Sequence, residues 1–227
     1  MISLFSIFRS TSSLLCEYDR YRDIQRKLHS IMLDECMSDG AVLLVAQELG
    51  IIEQGMMVLE SEEEWNLVND YMLYEAEWNH GRTFVEYFSE EHTVTEDAEA
   101  QMLLAMTKAK ASLFLIVSTD PQSSTLILRD ELNGEEGIVL IDRGMSVSAS
   151  PGAPLFTRLT RFPLFAMTSG ASFPFPIDER ADLLSICSRI ACKNLGEKTK
   201  SRRIFRKIFH LHRTRGVPFI TGTSAKI

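Results

Sequence analysis

The sequence predicts an α+β protein: an N-terminal helical region packed on a small five-stranded antiparallel β module, followed by C-terminal helices. Three observations lead there. Residues 12–110 repeat apolar side chains at helical spacing. From about residue 111 the pattern changes to short apolar runs separated by turn residues. Residues 177–215 return to helical spacing. The chain accordingly divides at 1–110, 111–176 and 177–227.

The first helix covers Ser13 to Met37, a stretch without Gly or Pro in which Leu14, Leu15, Tyr18, Tyr21, Leu28, Ile31 and Met32 recur on a helical period. Asp39-Gly40 breaks it, and Ala41 to Leu49 forms a second helix stopped by Gly50. Ser61-Glu62-Glu63-Glu64 has the spacing of a capping box, with three carboxylates at the positive end of the helix that follows. That helix carries Leu67, Tyr71, Tyr74 and Trp78 on one stripe and ends at His80-Gly81. Phe84, Val85, Tyr87 and Phe88 make a short aromatic helix, and Thr95-Glu96-Asp97 starts another through Met102, Leu103 and Met106. Strands are expected at 112–117, 125–128, 137–141, 155–159 and 164–168, with turn chemistry at Asn133-Gly134 and Asp142-Arg143-Gly144. Five short strands suit a small barrel or a curled sheet resting on the helices. A helix from Asp178 runs through Ile190 to Gly196, and the last helix spans Glu197 to Arg215, ended by Gly216 and Pro218.

The chain has 227 residues and a net charge of −7, which taken alone argues against an anionic partner. Its distribution argues differently. Residues 1–110 hold 8 Lys+Arg against 21 Asp+Glu, so 8 − 21 = −13; residues 111–178 give 4 − 7 = −3; residues 179–227 give 12 − 3 = +9. An acidic body with a basic tail marks the tail as a binding segment. Residues 197–215 contain eight Lys+Arg and one Glu, with Ile204, Phe205, Ile208, Phe209 and Leu211 along one side. The expected contact surface is therefore Arg202, Arg203, Arg206 and Lys207 for charge, with Phe205 and Phe209 as the anchor. Its target is an acidic partner, a nucleic acid or the chain's own acidic body.

Catalytic and metal signatures are thin. Cys187, Cys192, His210 and His212 offer zinc ligands, but C-x4-C and H-x-H on helices point their side chains apart. Glu77 and His80 match one half of a di-iron motif with no second copy. Gly144-Met145-Ser146-Val147-Ser148 ends in Ser where a nucleophile elbow needs Gly, and no phosphate-binding glycine loop occurs. Ala46 to Ile51 resembles the start of a helix-turn-helix, but Glu53, Glu60 and Glu62–Glu64 follow where cations are needed. No metal, cofactor or catalytic residue is expected. Four scattered cysteines, no apolar run of membrane-spanning length and no charged leader before the apolar Met1–Phe8 point to a cytoplasmic chain with reduced thiols.

The middle of the chain resembles an uncharacterised bacterial family. The resemblance rests on Gly81-Arg82 with Val85-Glu86-Tyr87, Ala111 to Phe114, Leu128-Arg129-Asp130, Gly134-Glu135-Glu136, Asp142 to Ser146, Thr157-Arg158-Leu159 and Met167 to Ala171. It spans roughly residues 56–175 and brings no known activity. Some relatives of similar type carry a SEC-C zinc knuckle; this chain has no paired-Cys knuckle, so a zinc site does not transfer.

The main expectation is an interaction or adaptor module acting through the basic helix. The alternative is an enzyme of unknown class, with a charged cleft between the helical region and the β module, drawing on Arg129, Asp130, Glu135, Glu136, Asp142 and Arg143.

Overall fold

The computed structural model describes residues 11–217. The apolar stretch Met1–Phe8 and the helix-terminating Pro218 lie outside the described residues. Helix α1 (Thr11–Cys36) is followed by α2 (Asp39–Leu49). The break between them is a cap: the Ser38 hydroxyl accepts from the Ala41 amide at 3.2 Å, so Asp39 and Gly40 belong to α2. Gly50 ends α2 in the left-handed region at φ 68°, where a side chain is disfavoured. A two-stranded hairpin, β1 (Ile52–Glu53) and β2 (Met56–Met57), then leads into α3 (Glu63–Tyr74).

The capping box expected at Ser61 does not form. Glu64 reaches back to the Glu60 amide at 2.7 Å and binds Arg213, so a tertiary ion pair takes the carboxylate. The box forms instead at α4 (Phe84–Glu91), where Thr83 and Glu86 cap reciprocally. α3 also stops at Tyr74, a turn earlier than expected, which leaves Trp78 outside the helix, packed edge-on against Phe84. Helix α5 (Asp97–Lys108) completes the N-terminal layer.

Strands β3 (Lys110–Asp120), β4 (Thr125–Asp130), β5 (Ile138–Ile141), β6 (Pro154–Arg161) and β7 (Ala166–Pro174) close into a barrel in the order β3-β4-β5-β7-β6. The class is α+β, but the sheet is mixed rather than antiparallel: β5 runs parallel to β7 through the pair Leu140↔Ala166. Parity explains the correction. Alternating directions cannot close a ring with an odd number of strands, so five strands need at least one parallel seam. A short helix, α6 (Arg143–Ser148), sits on the crossover that makes the seam possible, where the sequence suggests only a turn. The Asp142 carboxylate caps it at the Met145 amide, 2.9 Å.

Alternation along the strands sorts the core. Phe114, Leu126, Leu128, Leu140, Leu155 and Leu159 belong to one buried cluster, filled in from one end by Met145. Their neighbours Leu113, Phe156, Met167 and Phe173 belong to a second cluster built with the helices. That larger cluster takes side chains from all three regions of the chain, including α7 (Arg180–Ala191) and α8 (Glu197–Arg215). α3 and α8 pack on β7, and α5 packs on β6. No helix of the described residues is long and apolar enough to cross a membrane. Cys16, Cys36, Cys187 and Cys192 are all free thiols.

Candidate functional site

The basic helix α8 is amphipathic as read, and its apolar side faces inward. Ile204, Phe205, Ile208, Phe209 and Leu211 are buried. The Phe205 ring lies 5.3 Å from Tyr71, 5.1 Å from Phe173 and 6.2 Å from Phe156. Phe205 and Phe209, expected to anchor a partner, are each 1% exposed and occupy the chain's own core. The physical reason is area: burying two aromatic rings against the barrel and α3 outweighs any gain from solvated charge.

The cations of α8 split into two sets. Lys198 pairs with Glu86 at 2.5 Å, Lys200 with Glu197 at 2.9 Å and Arg202 with Glu77 at 3.7 Å. Arg213 makes a two-pronged contact with Glu64, 2.8 Å on each side, and Arg215 reaches Glu179 and Asp182. Four of these five pairs run to other elements, so the tail neutralises part of the acidic body. Arg203, Arg206 and Lys207 are exposed and have no ion pair among the described residues. Their spacing of i, i+3 and i+4 puts them on one face, and exposed His210 extends it by another turn.

A second constellation lies between α1, α3, α6 and β7. Polar side chains at helical spacing on α1 (Arg22, Gln25, Arg26, His29) and on α3 (Asn66, Asn69, Asp70) face one another across a cleft of about 760 Å³. Its far wall is β7, whose pairing with β6 runs Thr157↔Ser172 and resumes at Leu159↔Thr168. Arg158 on β6 therefore stands opposite three residues, Ser169, Gly170 and Ala171. The bulge is possible because Gly170 adopts φ +108°, a conformation that side chains rarely take. Arg22 ties α1 to this strand, donating to the Thr168 carbonyl at 2.8 Å and to the Gln25 side chain at 2.9 Å. Gln25 in turn donates to the Thr160 hydroxyl at 3.2 Å. Two buried polar atoms on the cleft, Asn69 Oδ1 and Ser169 Oγ, have no hydrogen-bond partner among the described residues.

Beneath the cleft is a buried charge network. The Arg158 side chain is 3% exposed and donates to Asp70 at 3.2 Å, to Glu75 at 2.6 Å and to the Ala109 carbonyl at 3.3 Å. Its guanidinium lies over the Tyr74 ring, 4.6 Å from the centroid. Glu75 also accepts from Ser201 on α8 at 2.8 Å. Tyr74 sits 2.8 Å from His29 Nε2, and burial pushes the tyrosine pKa well up, so the phenol keeps its proton in this hydrogen bond. Burial is also the main cause that lowers His29 to about 4; Asp70 opposes the shift, and Arg22 and Arg158 add to it. His29 is thus neutral at pH 7 in the folded chain. Between about pH 6.5 and 4 the unfolded chain takes up a proton that the folded chain refuses. Stability is expected to fall through that window as pH drops, by up to about 3 kcal/mol, and to be unaffected by this group above pH 6.5 or so. Urea midpoints measured across the window check this, and His29→Gln should flatten the slope.

Of the six charges expected in a cleft, Asp142 and Arg143 line it. Asp142 caps α6, and Arg143 is held by both oxygens of Asp19 at 2.9 and 2.7 Å. The other four lie elsewhere. Arg129 pairs with Glu131 and Glu135 with Arg161, while Glu136 is exposed. Asp130 organises its own turn, accepting from Ser112 at 2.7 Å and from the Leu132 and Asn133 amides at 3.0 Å. The candidate zinc ligands are also dispersed in environment. Cys187 is buried, which pushes its thiol up to about 12, and Cys192 is exposed. His210 is exposed, while the His212 ring sits edge-on between Phe173 and Phe175, 5.5 Å from each. Among the described residues no group of three or more His, Cys, Asp or Glu is placed to hold a metal ion.

One family model matches, a family of unknown function (DUF7986), over residues 12–221. The match reaches well beyond the stretch 56–175 that carries the resemblance. No curated protein and no solved structure matches the chain.

Proposed function

We propose an interaction role for this chain, which belongs to the family of unknown function DUF7986: its basic helix closes the fold inwardly and offers a small cationic face outwardly. The inward part is the pairing of Lys198, Arg202, Arg213 and Arg215 with carboxylates of other elements. The outward part is Arg203, Arg206 and Lys207. The observation that supports it is selective neutralisation: five of the eight cations of α8 have internal partners, and the three left over share one exposed face.

The partner is a short acidic segment of another protein. A nucleic acid fits less well, because a long polyanion would meet a chain of net charge −7 around the three α8 cations that have no ion pair among the described residues. With each exposed ion pair contributing about 0.2–1 kcal/mol, the contact is weak and salt-sensitive. A fluorescent dodecapeptide rich in Asp and Glu, followed by anisotropy, provides the test. Binding at low salt is expected, with loss at high salt and loss in the triple reversal Arg203→Glu, Arg206→Glu, Lys207→Glu. The thermal stability of that variant should change by no more than about 0.5 kcal/mol per site, since all three positions are exposed. Binding indifferent to the reversal, or tighter binding of a single-stranded DNA of equal length, overturns the reading.

A further inference from the structure

We propose that the cleft between α1, α3, α6 and the β7 bulge binds a neutral, polyhydroxylated molecule of the saccharide class. The size is right: about 760 Å³ falls within the usual range for small-molecule sites. The charged side chains around it already have partners, Arg26 with Asp23 at 3.4 Å among them. Asp70 is paired with Arg158, Arg143 with Asp19, and Asp142 is spent on the α6 cap. Arg22 is spent on Thr168 and Gln25. What remains to recognise a ligand is uncharged hydrogen-bonding capacity, on Ser30, Asn66, Asn69 and Ser169, since the Ser148 hydroxyl donates to the Gly144 carbonyl and the Ser172 hydroxyl pairs with Thr157.

Two of those groups point to a ligand. Ser169 is 5% exposed, yet its hydroxyl has no partner among the described residues, and Asn69 Oδ1 across the cleft is buried in the same condition. A desolvated polar atom is costly unless something pairs with it. Ligand hydroxyls can donate to Asn69 Oδ1 and either accept from or donate to Ser169 Oγ, whereas an ionised carboxylate or phosphate oxygen can only accept. Aromatic recognition, which a nucleobase would need, is poorly supplied: the Tyr18 ring already faces the Arg22 guanidinium at 5.3 Å. Neutral, hydroxyl-rich and not stacked describes a sugar.

The test uses the full chain with glucose, N-acetylglucosamine, maltose and trehalose, read by saturation-transfer NMR and calorimetry at up to about 20 mM, where even millimolar affinity registers. Glucose 6-phosphate and adenosine monophosphate serve as the anionic arm. At least one neutral sugar is expected to bind. Ser169→Ala and Asn69→Ala should each weaken it about tenfold or more, because the groups removed are those a ligand hydroxyl would satisfy. Near-UV circular dichroism reports whether each variant keeps its packing. Ser30→Trp, at an exposed lining position, blocks the cleft without touching the buried groups and should also abolish binding. The proposal is overturned if none of the four sugars binds, if only the phosphorylated compounds bind, or if a bound sugar is unaffected by all three variants.

Discussion

Replacing Arg158 by methionine is expected to destabilise the chain by about 3–5 kcal/mol, a large part of the 5–15 kcal/mol that ordinarily separates folded from unfolded domains. Methionine fills a similar volume, so the loss is electrostatic. It strands Asp70 and Glu75, two carboxylates that are each 5% exposed and that the guanidinium holds at 3.2 and 2.6 Å. Neither has another cation within reach among the described residues, and Glu75 keeps only the Ser201 hydroxyl. Arg158→Lys should fall between wild type and methionine. A single ammonium cannot reproduce a fork that spans Asp70, Glu75 and the Ala109 carbonyl while lying over Tyr74. Urea denaturation gives the magnitude, and a rescue separates charge from packing. Adding Asp70→Asn and Glu75→Gln to Arg158→Met should recover much of the loss. A triple variant no more stable than the single one means that the network holds the fold by shape and not by charge.

Phe205→Ala should cost about 3–5 kcal/mol, and deleting the chain from Gly196 onward should abolish cooperative folding. The ring meets Tyr71, Phe156 and Phe173, so truncation opens a cavity where α3, β6 and β7 converge. Deletion removes five buried side chains of α8 at once and leaves Glu64 and Glu86 without Arg213 and Lys198. Thermal melting with size-exclusion chromatography reads both effects. A truncated chain that still melts cooperatively and elutes as one compact species contradicts the docked helix. For this reason the external role of α8 is tested by charge reversal on its exposed face, which spares the core.

Much of the architecture was legible because periodicity survives in single segments. The five strands, the long first helix and the amphipathic last helix each announce themselves locally. The parallel seam does not, since Leu140 and Ala166 are joined only once α6 and β6 have been threaded between them. Caps misled for a related reason. Ser61 and Thr83 offer similar local chemistry, and a distant arginine, Arg213, claims the Glu64 carboxylate. The basic helix was readable as amphipathic, but which side of it serves function was not. The phenylalanines that look like an anchor are core, and three cations, Arg203, Arg206 and Lys207, are left on the exposed side without an ion pair among the described residues. The cleft was least visible. Asn66, Asn69 and Asp70 on α3 and Arg22, Gln25 and Arg26 on α1 each look like an ordinary solvated stripe. Only the tertiary fold sets the two stripes against the Ser169–Ala171 bulge. Arg158 carried a faint signal: a lone charge between Phe156-Thr157 and Leu159-Thr160, in a strand that is buried on both faces.

The docking of α8 also bears on how the chain is made. Synthesis is vectorial, and α8 leaves the ribosome after every element it covers. Until it arrives, β6, β7 and α3 present an uncovered aromatic surface beside an acidic layer still lacking its counter-charges. The last contacts to form join residues far apart in sequence, such as Arg213 with Glu64, and long-range closure of this kind is slow. The nascent chain therefore passes through a stage in which its largest core is assembled on one side only, the stage most exposed to aggregation and to capture by chaperones.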